Sequence, residues 1–279
     1  MSLAAVTKKE FQDAIRSYTL LGLIVIFVAI TGFWAAIHWI PEMGDPVTGN
    51  LDTIALLNSM RQPAVYLVPL VALVVGYKAV AGEREHGSIR LTLGLPNTRS
   101  DIFLGKIIGQ TAVVSVAILF GYSAAALIAL LTYDTFALAA FVVYTLLSML
   151  YALVCISIAV SFSASTRSLQ RAIIGAGGIY LVVLILWDSI VAVLTIVFVE
   201  NPSQSDTFPD WLIALFYMNP STAFAQATRA VIPATREITV FPLLEASFWV
   251  DWYGFIVMGL WILIPLALGN FLFNRANIL

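Results

Sequence analysis

The sequence predicts an all-α integral membrane protein, and three observations lead to that class. Of the 279 residues, 61% are hydrophobic and only 11% are charged, whereas a soluble globular domain has about 25% charged residues. Six apolar runs are each long enough to cross a hydrocarbon layer about 30 Å thick as a helix. Backbone groups cannot stay unpaired in lipid, and these runs are too long and too evenly apolar for barrel strands. The transmembrane helices predicted within a single domain, 1–279, are 18–40, 63–82, 102–132, 136–163, 172–199 and 252–273.

Basic residues are distributed unevenly between the connections of these helices. If the N-terminus is cytoplasmic, eleven Lys and Arg residues lie on the cytoplasmic side and three on the other side. Such an excess marks the cytoplasmic side of a membrane protein. Acidic residues show the opposite bias, with ten outside and five inside. We therefore expect a multi-pass plasma-membrane protein with both termini in the cytoplasm.

Shorter amphipathic segments flank the predicted spans. Residues 1–17 place apolar and basic side chains on opposite faces of a helix, which is typical of an interfacial helix in the headgroup plane. A solvated extension of the first span is the alternative. The external region 200–251 contains apolar stretches at 211–218 and 223–231 that are too short to span. They predict short re-entrant or interfacial helices before the last span, with a break at Asn219-Pro220.

The connection between the second and third predicted spans is unusually long and charged. A simple turn needs no particular residues, whereas 83–101 begins with alternating acidic and basic side chains. This pattern favours a cytoplasmic coupling segment that docks against another protein. Gly87 is expected to end the preceding helix, and Ser88 is expected to cap a short helix after it. The predicted contact residues are Glu83, Arg84, Glu85, His86, Gly87, Ser88 and Arg90, with a second contact from Arg167 and Arg171.

Catalytic and metal-binding patterns are absent from the sequence. The two histidines, His38 and His86, fall on opposite sides of the membrane in the predicted topology. Gly105-Lys106 lacks the earlier glycine of a phosphate-binding loop, so the chain is not expected to bind ATP by itself. We therefore expect no catalytic residues, no metal, no cofactor and no nucleic-acid partner for this chain.

Asp188, next to Trp187, is the one acidic residue well inside a predicted span. A carboxylate in the hydrocarbon region is costly, and such residues are functional candidates by default. One interpretation places Asp188 and Trp187 on a transport pathway. The other is structural: the carboxylate reaches the interface or bonds to the backbone of a neighbouring helix. The sequence leaves both open.

The charged connection resembles that of the ABC-2 type transporter permeases. The specific part of this likeness is Gly-Glu-Arg-Glu-x-Gly-Ser at 82–88, Leu-x-Leu-Pro-x-x-Arg at 93–99 and Leu-Gly-Lys at 104–106. The N-terminal basic helix and Asn219-Pro220 extend it over most of the chain. Pro69 and the Trp187-Asp188 pair make the chain most similar to the branch that includes the membrane subunit of the nitrous-oxide-reductase maturation transporter, a copper-processing permease.

The resemblance implies a permease subunit that pairs with a second permease copy or a paralogue in the lipid bilayer. Separate ABC ATPase subunits would bind ATP and Mg²⁺, and Glu83 to Ser88 would sit in a groove of an ATPase subunit. Closure of the ATPase dimer would then open a path between two permeases. This implies an exporter. The alternatives are a membrane anchor or scaffold of an ATPase complex and a secondary transporter, although no inverted repeat supports the latter.

The predicted topology can be tested by cysteine labelling of intact cells. Ser88→Cys should react only with a membrane-permeant reagent, whereas Asp206→Cys should also react with an impermeant one, because the two are predicted on opposite sides. The single native cysteine, Cys155, is first replaced by alanine. Labelling of both positions from the same side would contradict the topology.

Overall fold

The computed structural model describes residues 3–39, 51–88, 98–199, 209–238 and 252–275. All regular structure within those ranges is helical. Six of the described helices are long and apolar enough to cross a membrane, which confirms the predicted class and the number of spans. Arg90 and Asp206 lie outside the described residues, together with the rest of 89–97 in the coupling segment and of 200–208 and 239–251 in the external region.

The helices are numbered here in chain order. They are α1 (Leu3–Arg16), α2 (Tyr18–Ala35), α3 (Thr53–Glu85), α4 (Arg99–Thr132), α5 (Leu138–Ser165), α6 (Leu169–Phe198), α7 (Asp210–Tyr217), α8 (Pro220–Val231) and α9 (Tyr253–Arg275). The six possible spans are α2 to α6 and α9. Wider π-helical turns interrupt α3 at Pro63–Leu67 and α6 at Leu181–Leu186.

The second span is longer than the sequence predicted, since it begins at Thr53 and not at 63. The carboxylate of Asp52 accepts a hydrogen bond from the backbone N–H of Ala55 at 2.8 Å, which caps the helix start. Pro63 opens the π-helical turn, where its missing N–H and its ring are accommodated without ending the helix. The polar residues before Pro63 therefore belong to the span and not to a separate element.

The centre of the bundle is formed by α3, α4 and α5, whose facing side chains are buried. Helix α2 packs closely on α4 because Gly121 has no side chain: a Cβ atom there would lie 2.9 Å from that of Phe27. The hydroxyl of Thr31 donates to the carbonyl of Gly121 at 2.7 Å. Small residues and interhelical hydrogen bonds of this kind hold membrane helices together.

Helix α6 lies at the edge of the bundle, and most of its side chains are exposed. It begins at the N-cap Ser168, whose hydroxyl accepts from the N–H of Arg171 at 3.3 Å. The short helix α7 packs beside it, and α8, which follows Asn219, packs on α9 and α5. Asn219 caps α8 through a 2.8 Å bond to the N–H of Ser221, and Pro220 follows at the first helical position.

Candidate functional site

Two glycines on α4 allow the N-terminal helix α1 to lie directly against the bundle. A Cβ atom at Gly105 would come within 2.8 Å of Val6, and one at Gly109 would come within 2.6 Å of the Cβ of Glu10. Both distances are shorter than van der Waals contact, so neither position accepts a larger residue without movement of α1. The close approach places the side chain of Glu10 on the surface of α4, beside Lys106.

Lys106 is buried between two carboxylates. Its Nζ lies 2.7 Å from Oε1 of Glu10 and 2.7 Å from Oε1 of Glu83. The other oxygen of Glu10 accepts a hydrogen bond from Nε2 of Gln110 at 2.9 Å. The side chain of Lys106 is only 1% exposed, and a charge buried to that extent needs paired and hydrogen-bonded partners. We refer to Glu10, Glu83, Lys106 and Gln110 as the charge cluster.

The charge cluster joins three helices at one end of the bundle. Glu10 comes from α1, Glu83 from the last turn of α3, and the other two residues from the start of α4. A second cation reaches the rim, where Nζ of Lys9 lies 3.9 Å from Glu83. Oε2 of Glu83 is buried without a hydrogen-bond partner. Separation of the helices would leave buried charge uncompensated, which is more costly than loss of a surface ion pair.

Arg84 and Glu85 extend the contact to the loop between α5 and α6. Nη1 of Arg84 donates to the carbonyl of Thr166 at 2.7 Å, and its guanidinium lies over the ring of Phe273 in α9 at 5.5 Å. The carboxylate of Glu85 accepts from the N–H of Leu169 at 2.8 Å. A carboxylate at a helix start is favourable because unpaired N–H groups and the positive end of the helix dipole lie there.

A break in α3 is repaired by one hydroxyl of α5. The Oγ of Ser163 donates to the carbonyl of Tyr77 at 2.6 Å and accepts from the N–H groups of Val80 at 3.2 Å and Ala81 at 2.9 Å. These groups flank the interruption at Tyr77. Ser163 therefore fixes the last part of α3, and with it Glu83 to Glu85, against α5.

The end of α3 is formed by His86, Gly87 and Ser88, all of which are exposed. Nδ1 of His86 lies 2.7 Å from the carbonyl of Gly82. Gly87 has a φ of 72°, a left-handed conformation that glycine adopts at the ends of helices. The Oγ of Ser88 lies 3.4 Å from the carbonyl of Glu83. These three residues present the turn that leads into the coupling segment.

The residues that the sequence predicted as one docking surface therefore fall into two sets, one internal and one exposed. Glu83 and Arg84 point into the protein, although they were expected to supply docking charges. Arg167 and Arg171 are exposed on the neighbouring loop and at the start of α6, so they share one end of the bundle with Glu83 to Ser88. Arg90 belongs to the part of the chain that the structure does not describe.

Trp187 and Asp188 lie far from the charge cluster along α6. Nε1 of Trp187 donates to the carbonyl of Leu215 in α7 at 3.2 Å, so its indole ties α6 to the short helix beside it. Asp188 is exposed on the same helix. Because α6 starts beside Glu85, both residues belong to the opposite half of the membrane from the charge cluster.

Glu10, Lys106, Gln110 and Ser163 were not among the predicted site residues. The sequence carried one signal for them, a single lysine between two glycines spaced four apart at the start of a long apolar helix. Among the described residues, no group of three or more His, Cys, Asp or Glu side chains is placed to hold a metal ion.

Comparison with known proteins identifies the class. A protein-family model described as "ABC-2 family transporter protein" matches residues 4–278, so the chain belongs to that family of multi-pass membrane permeases. The resemblance drawn from the charged connection is thereby confirmed.

Two relatives carry the name "Probable ABC transporter permease protein NosY". The relative from Pseudomonas aeruginosa is 27% identical over 288 residues, with 98% of each chain covered. The relative from Stutzerimonas stutzeri is 26% identical over 223 residues, with 78% of each chain covered. The chain is thus similar to permease subunits over almost its full length.

The burial of Lys106 can be tested with Lys106→Met. This substitution should lower the free energy of unfolding in detergent by about 3 kcal/mol, because two carboxylates lose the cation that both are paired with. Lys8→Met removes an exposed lysine of α1 and serves as the control, with little expected change. The neutral combination Glu10→Gln, Glu83→Gln and Lys106→Met should recover most of the loss. An equal loss in Lys8→Met and Lys106→Met would contradict the assigned role.

Proposed function

We propose that this permease is the membrane subunit of an ATP-driven exporter, and that the charged end of the bundle receives movement from separate ATPase subunits. The observation that carries this proposal is the burial of Lys106 between Glu10 and Glu83 at 2.7 Å from each. It joins the last turn of α3, which leads into the coupling segment, to α1 and α4. Membership of the ABC-2 family supports an ATPase partner.

In this arrangement the end of α3 cannot move without also moving the helices that are bonded to it. If Glu83 moved away from Lys106, a carboxylate and an ammonium would be left apart in a water-poor site, at a cost of several kcal/mol. Arg84 and Glu85 add hydrogen bonds to Thr166 and Leu169. A displacement applied at the turn after α3 is therefore passed to α1, α4, α6 and the α5–α6 loop together. Such a rigid group of elements is suited to a two-state transition.

The proposed ATPase contact uses the exposed residues beside this group. His86, Gly87 and Ser88 form the turn after α3, and Arg167 and Arg171 provide positive charge next to it. In this proposal Glu83 and Arg84 transmit the movement, and the exposed residues make the contact. The basic residues would pair with an acidic surface of the ATPase, and ATP and Mg²⁺ would be bound by the ATPase subunits.

The orientation and assembly belong to the same proposal. The charged end faces the cytoplasm, as the excess of basic residues in the connections favours. A second permease copy or a paralogue completes the transmembrane unit within the plasma membrane, and substrate passes between the two. NosY-named relatives of matching length support a permease role. A membrane anchor that moves no substrate would bind the ATPase without changing its activity, which the experiments below distinguish.

Glu83→Gln separates transmission from binding. The variant keeps the shape of the side chain but removes the charge that holds Lys106, so the cognate ATPase should still copurify. The stimulation of ATPase activity by the permease should be about tenfold smaller than with wild type. This factor corresponds to a loss of about 1.4 kcal/mol in coupling free energy. Asp13→Asn, an exposed acid on α1, is the control. Wild-type stimulation in Glu83→Gln would contradict transmission through the charge cluster.

Arg171→Glu tests the contact itself. Reversal of this exposed charge should reduce copurification of the ATPase about tenfold, because attraction to an acidic surface becomes repulsion. Thermal stability of the permease should not change, since the side chain is exposed. Arg275→Glu, an exposed arginine at the same end of the bundle, provides the matched control. If both variants retained the ATPase equally, the basic loop would not be the contact.

A further inference from the structure

Two wide helical turns line the same cavity in the half of the bundle opposite the charge cluster. They are Pro63–Leu67 in α3 and Leu181–Leu186 in α6. The hydroxyl of Tyr180 donates to the carbonyl of Tyr66 at 3.2 Å, which joins the two helices at this level. Turns of the π type are rare and are frequently found at functional sites.

The carbonyl groups of these turns are supplied with donors from other elements. Nδ2 of Asn219 donates a hydrogen bond to the carbonyl of Val183 at 2.5 Å. The hydroxyl of Tyr180 donates in the same way to the carbonyl of Tyr66. Lipid offers no hydrogen bonds to backbone groups that a distorted helix leaves weakly paired, so neighbouring side chains must provide them. The two turns are therefore built features of the fold, fixed by the side chains of Asn219 and Tyr180.

A polar cavity of about 50 Å³ lies between the two turns and the start of α8. Val65 and Tyr66 line it from one turn and Leu184 from the other, so the wide turns help to create its space. The polar side chains that line it are Arg61, Gln62, Tyr66, Asp188, Ser221 and Thr222. A polar cavity inside otherwise apolar spans indicates a polar ligand.

The two charged residues of the cavity are not paired with each other. In the part of the chain that the structure describes, Asp188 makes no hydrogen bond or ion pair, and no ion pair joins it to Arg61. Asp188 is exposed at the side of the bundle, and Tyr66 is 47% exposed. A carboxylate on a membrane-spanning helix cannot face acyl chains without a large cost. It therefore requires a polar group that approaches from the side.

The cavity lies near the level of lipid headgroups. At 1.5 Å per residue, Arg61 is about 12 Å from the Thr53 end of α3, and Asp188 is about 15 Å from the Phe198 end of α6. The two helices are about 50 Å and 45 Å long, and the hydrocarbon layer is about 30 Å thick. Their ends therefore extend beyond that layer, and both charged residues lie close to its boundary.

We propose that this cavity binds the headgroup of a phospholipid with a primary amine, such as phosphatidylethanolamine, from the leaflet opposite the charge cluster. The ammonium group lies at Asp188, with Gln62 and Ser221 as further acceptors, and the phosphate lies on the side of Arg61. A primary ammonium can donate hydrogen bonds to the carboxylate and to the other acceptors that line the cavity, whereas a trimethylammonium group has no N–H to donate. Guanidinium and phosphate match in charge and in geometry.

This inference goes beyond the proposed coupling to an ATPase and does not depend on it. The lipid would occupy the joint between α3 and α6, in the cavity that Arg61 and Asp188 both line. Its binding would hold the two wide turns together. The residues involved are separate from the charge cluster, so the two proposals can fail independently.

The test uses the full-length protein in nanodiscs that contain equal amounts of phosphatidylethanolamine, phosphatidylcholine and phosphatidylglycerol. Native mass spectrometry then measures which lipid stays bound after release. Wild type should retain phosphatidylethanolamine in preference to the other two, and Asp188→Asn should retain about tenfold less of it, equivalent to 1.4 kcal/mol of charge pairing. Asp210→Asn, an exposed acid at the same end of the bundle, should behave as wild type.

Several results would overturn the proposal. Equal retention of the three lipids by wild type would do so without any variant, so the test does not depend on the folding of Asp188→Asn. Unchanged retention in Asp188→Asn would exclude the carboxylate from the site. Equal binding of soluble phosphoethanolamine would contradict a membrane source. Reduced self-association of Asp188→Asn with unchanged lipid retention would assign the carboxylate to a second copy of this chain. Copurification of the ATPase should be unaffected in each variant.

Discussion

The burial of Lys106 between Glu10 and Glu83 is the interaction on which the charged end of the bundle depends. One ammonium pairs with carboxylates from two helices that are not neighbours in sequence, and its 1% exposure makes separation costly. The position of α1 depends on this contact together with the two glycines of α4 that let it approach. Arg84 and Glu85 then connect the same turn of α3 to the α5–α6 loop. One ion cluster thus determines which helices move together when the coupling segment is displaced.

The opposite half of the bundle meets the same physical requirement in another way. There the polar groups are backbone carbonyls in two wide turns, and Tyr180 and Asn219 supply their donors. Both ends follow one rule: polar groups within a membrane bundle must find partners inside the protein or in a ligand. At the charged end Glu83 and Arg84 each have a partner in the protein, although one oxygen of Glu83 and two nitrogens of Arg84 are buried without a hydrogen bond. At the far end Asp188 has no hydrogen-bond or ion-pair partner among the described residues, which is why a lipid headgroup is inferred there and not at the charge cluster.

Class, number of spans and family could be predicted from the sequence because each depends on local composition or on a contiguous motif. The charge cluster could not. Glu10 and Lys106 are 96 residues apart, and no pattern in either helix shows that α1 lies on α4. The alternating charges at 83–85 suggested docking residues. The sequence alone does not reveal that Glu83 pairs with Lys106 and that Arg84 donates to the carbonyl of Thr166. The start of α3 was placed too late because Pro63 is a common helix terminator, and here a π-helical turn accommodates it.

In the proposed mechanism α1 and the end of α3 move as one unit during the ATP cycle. Electron paramagnetic resonance distances between spin labels at Lys8 and Ser88, both exposed, test it in the assembled complex after Cys155 is replaced. The Lys8–Ser88 distance should be the same with and without ATP, while the distance from Ser88 to a label at the exposed Val231, at the end of α8, should change. A Lys8–Ser88 distance that changes on ATP binding would contradict the claim, because the charge cluster would then not hold the two helices together.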